Sequence, residues 1–287
     1  MDEIIKLIEC PRDAMQGINK FIPTKKKIRY IQSLLRVGFD TIDFGSFVSP
    51  RAIPQMQDTA SVLSQLDLSG TNSKLLAIVA NLRGAIVAAN FSEIDYLGYP
   101  FSISENFQMR NTHKTILESV GELKKIIEIA KKKNKSLVVY LSMAFGNPYG
   151  DPWDLQIVGQ WIERLHNMGV EVISLSDTIG SSTKETISYL FSNLIPEFKK
   201  IEFGAHLHTH PLTWYDKVDT AFSAGCRRFD GAIQGYGGCP MAKDELTGNM
   251  PTEKLISYFT AKKIDTNIDV LAFESSHNTA SEIFKNY

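Results

Sequence analysis

Three of the chain's six histidines lie within five residues, in the run Phe203-Gly-Ala-His206-Leu-His208-Thr-His210-Pro211. In an extended strand, side chains two positions apart share a face. His206 and His208 then project together while Leu207 faces the other way. On a helix the same spacing diverges, so the pair chelates only from an extended backbone. Neutral imidazole is the commonest nitrogen donor to divalent metals. Two such rings side by side make half of a metal site, and the other half must be oxygen ligands from elsewhere. A surface histidine cluster ahead of a proline turn has the same spacing. His210, beside Pro211, is assigned to that turn and not to the site.

Two further groups carry chemistry. Arg12 and Asp13 are adjacent. In one reading they are a surface ion pair, which contributes little. In the other, Asp13 ligates a metal and Arg12 faces a substrate oxygen on which negative charge develops. Cys239 lies in Gly235-Tyr-Gly-Gly-Cys-Pro240. It reads either as a buried structural thiol or as an accessible thiol that carries a proton. Gly235, Gly237 and Gly238 permit positive φ and hence a loop that closes over substrate. The run is not a dinucleotide fingerprint, because it does not open a βαβ unit. Cys226, after Gly225, reads as structural, and Cys10 carries no assignment.

These residues are far apart in sequence, so the fold must gather them. Hydrophobic periodicity predicts strands over residues 4–9, 41–47, 74–79, 93–102, 136–145, 171–176, 202–208 and 227–233. Helices are expected over 24–37, 54–66, 82–89, 104–133, 153–168, 183–194 and 212–224. Two more, over 252–262 and 267–285, form a C-terminal helical extension. No long linker, composition shift or low-complexity stretch interrupts the alternation. Eight strand-then-helix units over 287 residues suit one (β/α)8 TIM barrel, a single catalytic domain spanning 1–287. Doubly wound sheets share the alternation.

In such a barrel, sites form where strands end and βα loops begin. Strand 1 then brings Glu9, Arg12, Asp13 and Gln16 to one mouth, and strand 2 brings Asp43 and Ser46. Strand 6 adds Asp177 and Thr178, strand 7 adds His206 and His208, and the last loop adds Cys239 and Asn249. In that position Arg12 and Asp13 take their functional reading. One carboxylate, two imidazoles and one amide oxygen suit Mg2+, Mn2+, Co2+ or Zn2+, with open positions for substrate.

Composition narrows the partners. Hydrophobic residues make up 43% and charged residues 22%, enough to bury a sizeable core. A net charge of −1 gives no case for a nucleic-acid or membrane-surface partner. No run of 18 apolar residues predicts a spanning helix. The start lacks a basic n-region and apolar h-region, so no signal peptide is expected. Three cysteines do not make a disulfide framework, and a cytoplasmic setting fits.

At this point the sequence resembles the hydroxymethylglutaryl-CoA lyases, of the metallolyase TIM-barrel group, over nearly its whole length. Glu9-Cys-Pro-Arg-Asp-Ala-Met-Gln16 is similar to that family's first motif, and Ser46-Phe-Val-Ser-Pro50 with Pro54-Gln-Met56 to its second loop. Ser176-Asp-Thr-Ile-Gly180 and Ala205-His-Leu-His208 resemble the strand-6 and strand-7 motifs. Arg228-Phe-Asp230, Gly237-Gly-Cys-Pro240 and Gly248-Asn249 resemble the signature loop, the most specific of these. The resemblance implies cleavage of 3-hydroxy-3-methylglutaryl-CoA to acetoacetate and acetyl-CoA. It implies that Asp13, His206, His208 and Asn249 hold a divalent cation, Mg2+ or Mn2+ ahead of Zn2+ or Co2+. Arg12, with Gln16 on the substrate side, would neutralise the thioester enolate oxygen, and Cys239 would relay a proton. The base would be His206 itself, or Asp43 through a water. An acyl-CoA substrate, a homodimer and a place in leucine breakdown are further expectations of that kind.

The sequence also departs from the family. Asp43 stands where Glu is usual, one methylene shorter. Thr209-His210 replaces an Asp-Thr, Phe145-Gly-Asn-Pro148 replaces a Gly-Cys-Pro, and one residue is added within 243–246. The CoA phosphates have Lys20 and Lys25-Lys-Lys27 as candidates, which equally suit a solvated helix face. Two other readings stay open. One is a metal-dependent aldolase or condensing enzyme acting on a 2-oxo acid. The other is a degenerate barrel that binds acyl-CoA without turnover.

Overall fold

The structure, a computed structural model, describes residues 5–238 and 247–285. Eight strands run β1 (Lys6–Glu9), β2 (Thr41–Ser46), β3 (Lys74–Ile78), β4 (Tyr96–Ser102), β5 (Ser136–Ser142), β6 (Val172–Asp177), β7 (Glu202–Thr209) and β8 (Arg228–Gly231). Each pairs in parallel with the next, and β8 pairs in parallel with β1, so the sheet closes. A two-residue strand, β9 (Gly248–Asn249), lies antiparallel against β7.

The helices before the barrel's midpoint are α1 (Pro11–Gln16), α2 (Thr24–Leu34), α3 (Thr59–Leu63), α4 (Leu82–Ala88), α5 (Glu105–Thr112) and α6 (Ile116–Lys132). After it come α7 (Leu155–Asn167), α8 (Lys184–Glu197), α9 (Trp214–Ser223), α10 (Thr252–Ala261) and α11 (Val270–Phe284). Eight parallel strands closed into a barrel, with helices between them and a C-terminal helix, is the TIM-barrel architecture expected from the sequence. Among the described residues no helix is long and apolar enough to cross a membrane.

Strand alternation divides the interior in two. Phe203, Ala205 and Leu207 of β7 face outward into the large core between sheet and helices. A smaller cluster, including Leu76, Ile78, Val138, Tyr140 and Val172, fills the barrel itself. The inward set of β7 is therefore Gly204, His206 and His208. Gly204 has no room for a side chain: a Cβ there would lie 3.0 Å from Ser174 Oγ and 3.1 Å from Arg228 Cδ.

Three elements differ from expectation. The single helix over 104–133 is two, α5 and α6, separated at His113, which adopts φ +55°. The break follows from Thr115 and Glu118, which form a capping box and start a new helix. The helix over 54–66 is a 3₁₀ turn, Pro54–Met56, followed by the short α3. The unexpected α1 begins at Pro11, which suits a first helical position because it lacks an N–H. That one and a half turns carries Arg12, Asp13 and Gln16 onto the barrel mouth.

Glu9 fastens the end of β1 to the far side of the chain. It accepts the Ile233 N–H at 3.0 Å and the Thr252 hydroxyl at 2.5 Å. Burial pushes its pKa up to about 8, with those two hydrogen bonds opposing. The folded protein then binds this proton more tightly than the unfolded chain, whose value is near 4.5. Stability is greatest below that unfolded value and declines as pH rises through about 8. Asp43, raised to about 6 mainly by burial, acts in the same direction. Glu9→Gln is expected to flatten the decline, recovering ~3–5 kcal/mol at pH 9. Urea unfolding at pH 5, 7 and 9 measures it, and parallel profiles for the two proteins would refute the assignment.

Candidate metal centre

The site is assembled from α1, β7 and β9. One ligand atom each from Asp13, His206 and His208 lie within 4.8 Å of one another. Asn249, paired directly opposite His208 in the β7–β9 ladder, gives its Nδ2–H to Asp13 Oδ2 at 2.7 Å and to the Tyr236 carbonyl at 2.8 Å. Its carbonyl oxygen is the group left to bind. Asp13 and Asn249 stand 236 positions apart in sequence, so barrel closure alone brings them together.

Electrostatics fit a cation. His208 donates Nδ1–H to the Thr178 carbonyl at 3.1 Å, which fixes the neutral tautomer. Its Nε2 is then a bare lone pair, buried, with no hydrogen-bond partner among the described residues. Burial, followed by the neighbouring His206, pushes its pKa down to about 4. Asp13 is held below its ordinary value: burial opposes ionisation, but Arg12, His206 and His208 together outweigh it. A carboxylate facing an unprotonated imidazole and an orphaned buried acceptor is a donor set suited to a divalent metal.

Arg12 is gripped from two sides. Its Nε and Nη2 donate to Asp43, at 3.0 and 2.5 Å to Oδ2, and its Nη1 donates to Asp13 Oδ1 at 2.9 Å. Gln16 also donates to Asp13 Oδ1, at 2.6 Å. Arg12, Gln16, Asp13, His206 and His208 border one cavity of about 340 Å³, whose lining also includes Val48, Ile53, Ile78 and Phe107. That volume is at the small end for ligand sites, large enough for an acyl group but not for a whole coenzyme. Asp43 is fully buried and absent from the cavity lining. Both its oxygens accept from Arg12, whereas a base acting through water needs an oxygen open to the cavity. Asp43 thus faces Arg12 rather than the cavity. Cys239 and residues 243–246 lie outside the described residues. His210 is exposed beyond the end of β7, in the turn expected for it.

Sequence reasoning missed three supports. Asp230 accepts from His206 Nδ1 at 3.0 Å. Lys217, buried on α9, donates to Asp177 Oδ2 at 2.7 Å and to the His208 carbonyl at 2.8 Å, tying β6 to β7. A buried lysine on an otherwise amphipathic helix was the signal available. Gly237 is the third, read from the sequence for its positive φ but not for its approach to the two oxygen donors. It has φ +92°, and a Cβ there would lie 2.6 Å from the Asp13 carbonyl and 2.8 Å from Asn249 Nδ2. Gly237→Ala is therefore expected to displace both oxygen donors and weaken Mn2+ binding by ~10–100-fold. A calorimetric titration reads this directly; wild-type affinity in the variant would contradict the close approach.

The fold and the site define a class: a TIM-barrel protein with a carboxylate, two imidazoles and an amide at the mouth where barrel enzymes work. The chain belongs to the HMGL-like family, whose model matches residues 5–279. It is 33% identical over 274 residues to the cytoplasmic 3-hydroxy-3-methylglutaryl-CoA lyase of Rattus norvegicus, covering 94% of this chain and 78% of that one. To the Bacillus subtilis hydroxymethylglutaryl-CoA lyase YngG it is 32% identical over 258 residues, covering 90% and 85%. The crystal structure of the Bacillus subtilis HMG-CoA lyase superposes with a TM-score of 0.91 at 30% identity, covering 98% and 93%. The HMG-CoA lyase of Acenitobacter baumannii, in complex with coenzyme A and 3-methylmalate, superposes at 0.90 with 28% identity, covering 98% and 91%.

Proposed function

We propose that this chain is a divalent-metal-dependent hydroxymethylglutaryl-CoA lyase, cleaving 3-hydroxy-3-methylglutaryl-CoA to acetoacetate and acetyl-CoA. The observation that carries the reading is the bare Nε2 of His208, set beside Asp13, His206 and Asn249 on the cavity that Arg12 also borders. Asp13, His206, His208 and Asn249 would hold a cation that would supply Lewis acidity to the substrate's tertiary hydroxyl. Arg12, stationed by Asp43 and Asp13, offers fixed positive charge to the thioester oxygen as the C–C bond breaks. Gln16 holds Asp13 in place while bordering the substrate. A ring that gives Nδ1–H to Asp230 and Nε2 to a cation has no lone pair left. Within this reading His206 is therefore a ligand and not the base. Cys239, directly after the Gly237-Gly238 pair, gives its proton to the enolate carbon of the departing thioester, and the proton released by the tertiary hydroxyl returns through solvent to the thiolate.

The proposal extends to particulars. The whole chain acts as one catalytic domain, since the family match runs nearly end to end. Mg2+ or Mn2+ is the resident ion, because two of the four donors are oxygens and no thiolate is among the four ligands. The acyl end of an acyl-CoA fills the cavity and the nucleotide end lies outside it. A cytoplasmic setting, a homodimer and a role in leucine breakdown complete the proposal; relatives are named both cytoplasmic and mitochondrial.

The test is acetyl-CoA release from the hydroxymethylglutaryl thioester, with chelator and with Mg2+ or Mn2+ restored. Metal-dependent release is expected. Turnover of a 2-oxo acid substrate in place of the thioester would select the aldolase reading, and metal binding without turnover the degenerate barrel.

A further inference from the structure

We infer that Asp230 is a positioning residue for the metal centre, acting through His206 from inside the barrel. The inference rests on the reading of His206 as a metal ligand. On β8 the side chains alternate: Phe229 packs outward against Phe259, so Arg228 and Asp230 face the barrel interior. The β7–β8 register pairs Gly204 with Arg228 and Ala205 with Phe229. The next step brings Asp230 level with His206.

The contact fixes the ring. Asp230 Oδ2 stands 3.0 Å from His206 Nδ1 and accepts weakly from Ser174 Oγ at 3.4 Å. A carboxylate only accepts, so in this contact Nδ1 carries the hydrogen and the neutral ring presents its lone pair at Nε2. Tyr140 stands edge-on to the same ring, 5.5 Å away, which restricts its rotation. Below Asp230 lies Arg228, almost wholly buried, with Glu202 3.4 Å from its Nη1. Asp230 is the leading influence keeping that guanidinium charged against burial. Arg228 thus acts on Asp230 through charge and not through a hydrogen bond, and Asp230 in turn holds His206.

The two imidazoles are therefore not equivalent. His208 leans on a neutral peptide carbonyl, whereas His206 leans on a buried carboxylate. A carboxylate makes its imidazole the more basic donor. Asp230 should set the affinity of the site for its cation without touching cation or substrate.

The test compares wild type and Asp230→Asn by Mn2+ titration, reading free Mn2+ by electron paramagnetic resonance. Thermal unfolding in chelator is run beside it. The expected result is a Kd raised ~10–100-fold in the variant, with metal-free unfolding close to wild type. Equal Kd values overturn the inference and leave the lyase reading standing. A wild type that binds no Mn2+ removes both. Should Asp230→Asn not fold, the wild type supplies the answer. In Mg2+-loaded protein with 15N-labelled histidine, His206 should show a proton on Nδ1, and a proton on Nε2 overturns the inference.

Discussion

Replacing His208 with alanine is expected to abolish metal binding and turnover together. The ring contributes an acceptor that has no partner within the described protein, held in one tautomer by the Thr178 carbonyl. Losing that ligand removes several kcal/mol of transition-state stabilisation, which at about 1.4 kcal/mol per tenfold is a loss of ~10²–10⁴ in rate, enough to leave no acetyl-CoA release above background. The fold should survive. An uncompensated buried nitrogen costs free energy in the metal-free protein, so its removal offsets part of the lost packing. Metal-free melting close to wild type, with no Mn2+ bound and no acetyl-CoA released, is the expected pattern. Cys239→Ala supplies the contrast, keeping the metal while losing most of the rate. If His208→Ala still turned over at the wild-type rate, the proposed centre would not be where the chemistry occurs.

Arg12→Gln is the second large effect, and it acts on stability as well as rate. Arg12 neutralises two buried carboxylates at once, Asp43 and Asp13. Removing one partner of a buried ion pair costs ~3–5 kcal/mol, because the remaining charge has neither water nor counter-ion. The rate should fall by ~10²–10³, the usual loss when one preorganised donor is removed, and the loss should fall on kcat more than on KM. Arg12→Lys should not rescue it, since an ammonium cannot reproduce the two-sided grip. The double variant Arg12→Met with Asp43→Leu separates the two effects. Replacing the Arg12–Asp43 pair with apolar groups should restore part of the melting temperature, Asp13 still lacking Arg12, while leaving the enzyme inactive. Recovery of activity in that double variant would show that Arg12 serves the fold alone.

The His206–His208 face was legible because strand periodicity is two and local. The eight-fold alternation was legible because each strand and each helix carries its own hydrophobic pattern, and that pattern recurs eight times. Arg12 and Asp13 follow the end of β1, and both line the cavity at that mouth. The split of α5 from α6 was also written locally, in Thr115 and Glu118, although the apolar stripe of the longer helix concealed it.

Asp230 and Asp43 show what was not legible. Each is a buried carboxylate whose meaning depends on its partner, His206 for one and Arg12 for the other. The partners lie on neighbouring elements, and their pairing is set by register. The sequence by itself determined the barrel, the paired imidazoles of β7 and the mouth they share with Asp13, because local periodicity dictates which way each side chain faces. Tertiary structure alone decided that Asp43 holds Arg12, that Asn249 turns its nitrogen to Asp13, and that His208 is left with a bare lone pair. Those outcomes follow from sheet closure and sub-ångström packing, where a methylene's reach or a glycine's missing Cβ determines which polar atom finds a partner.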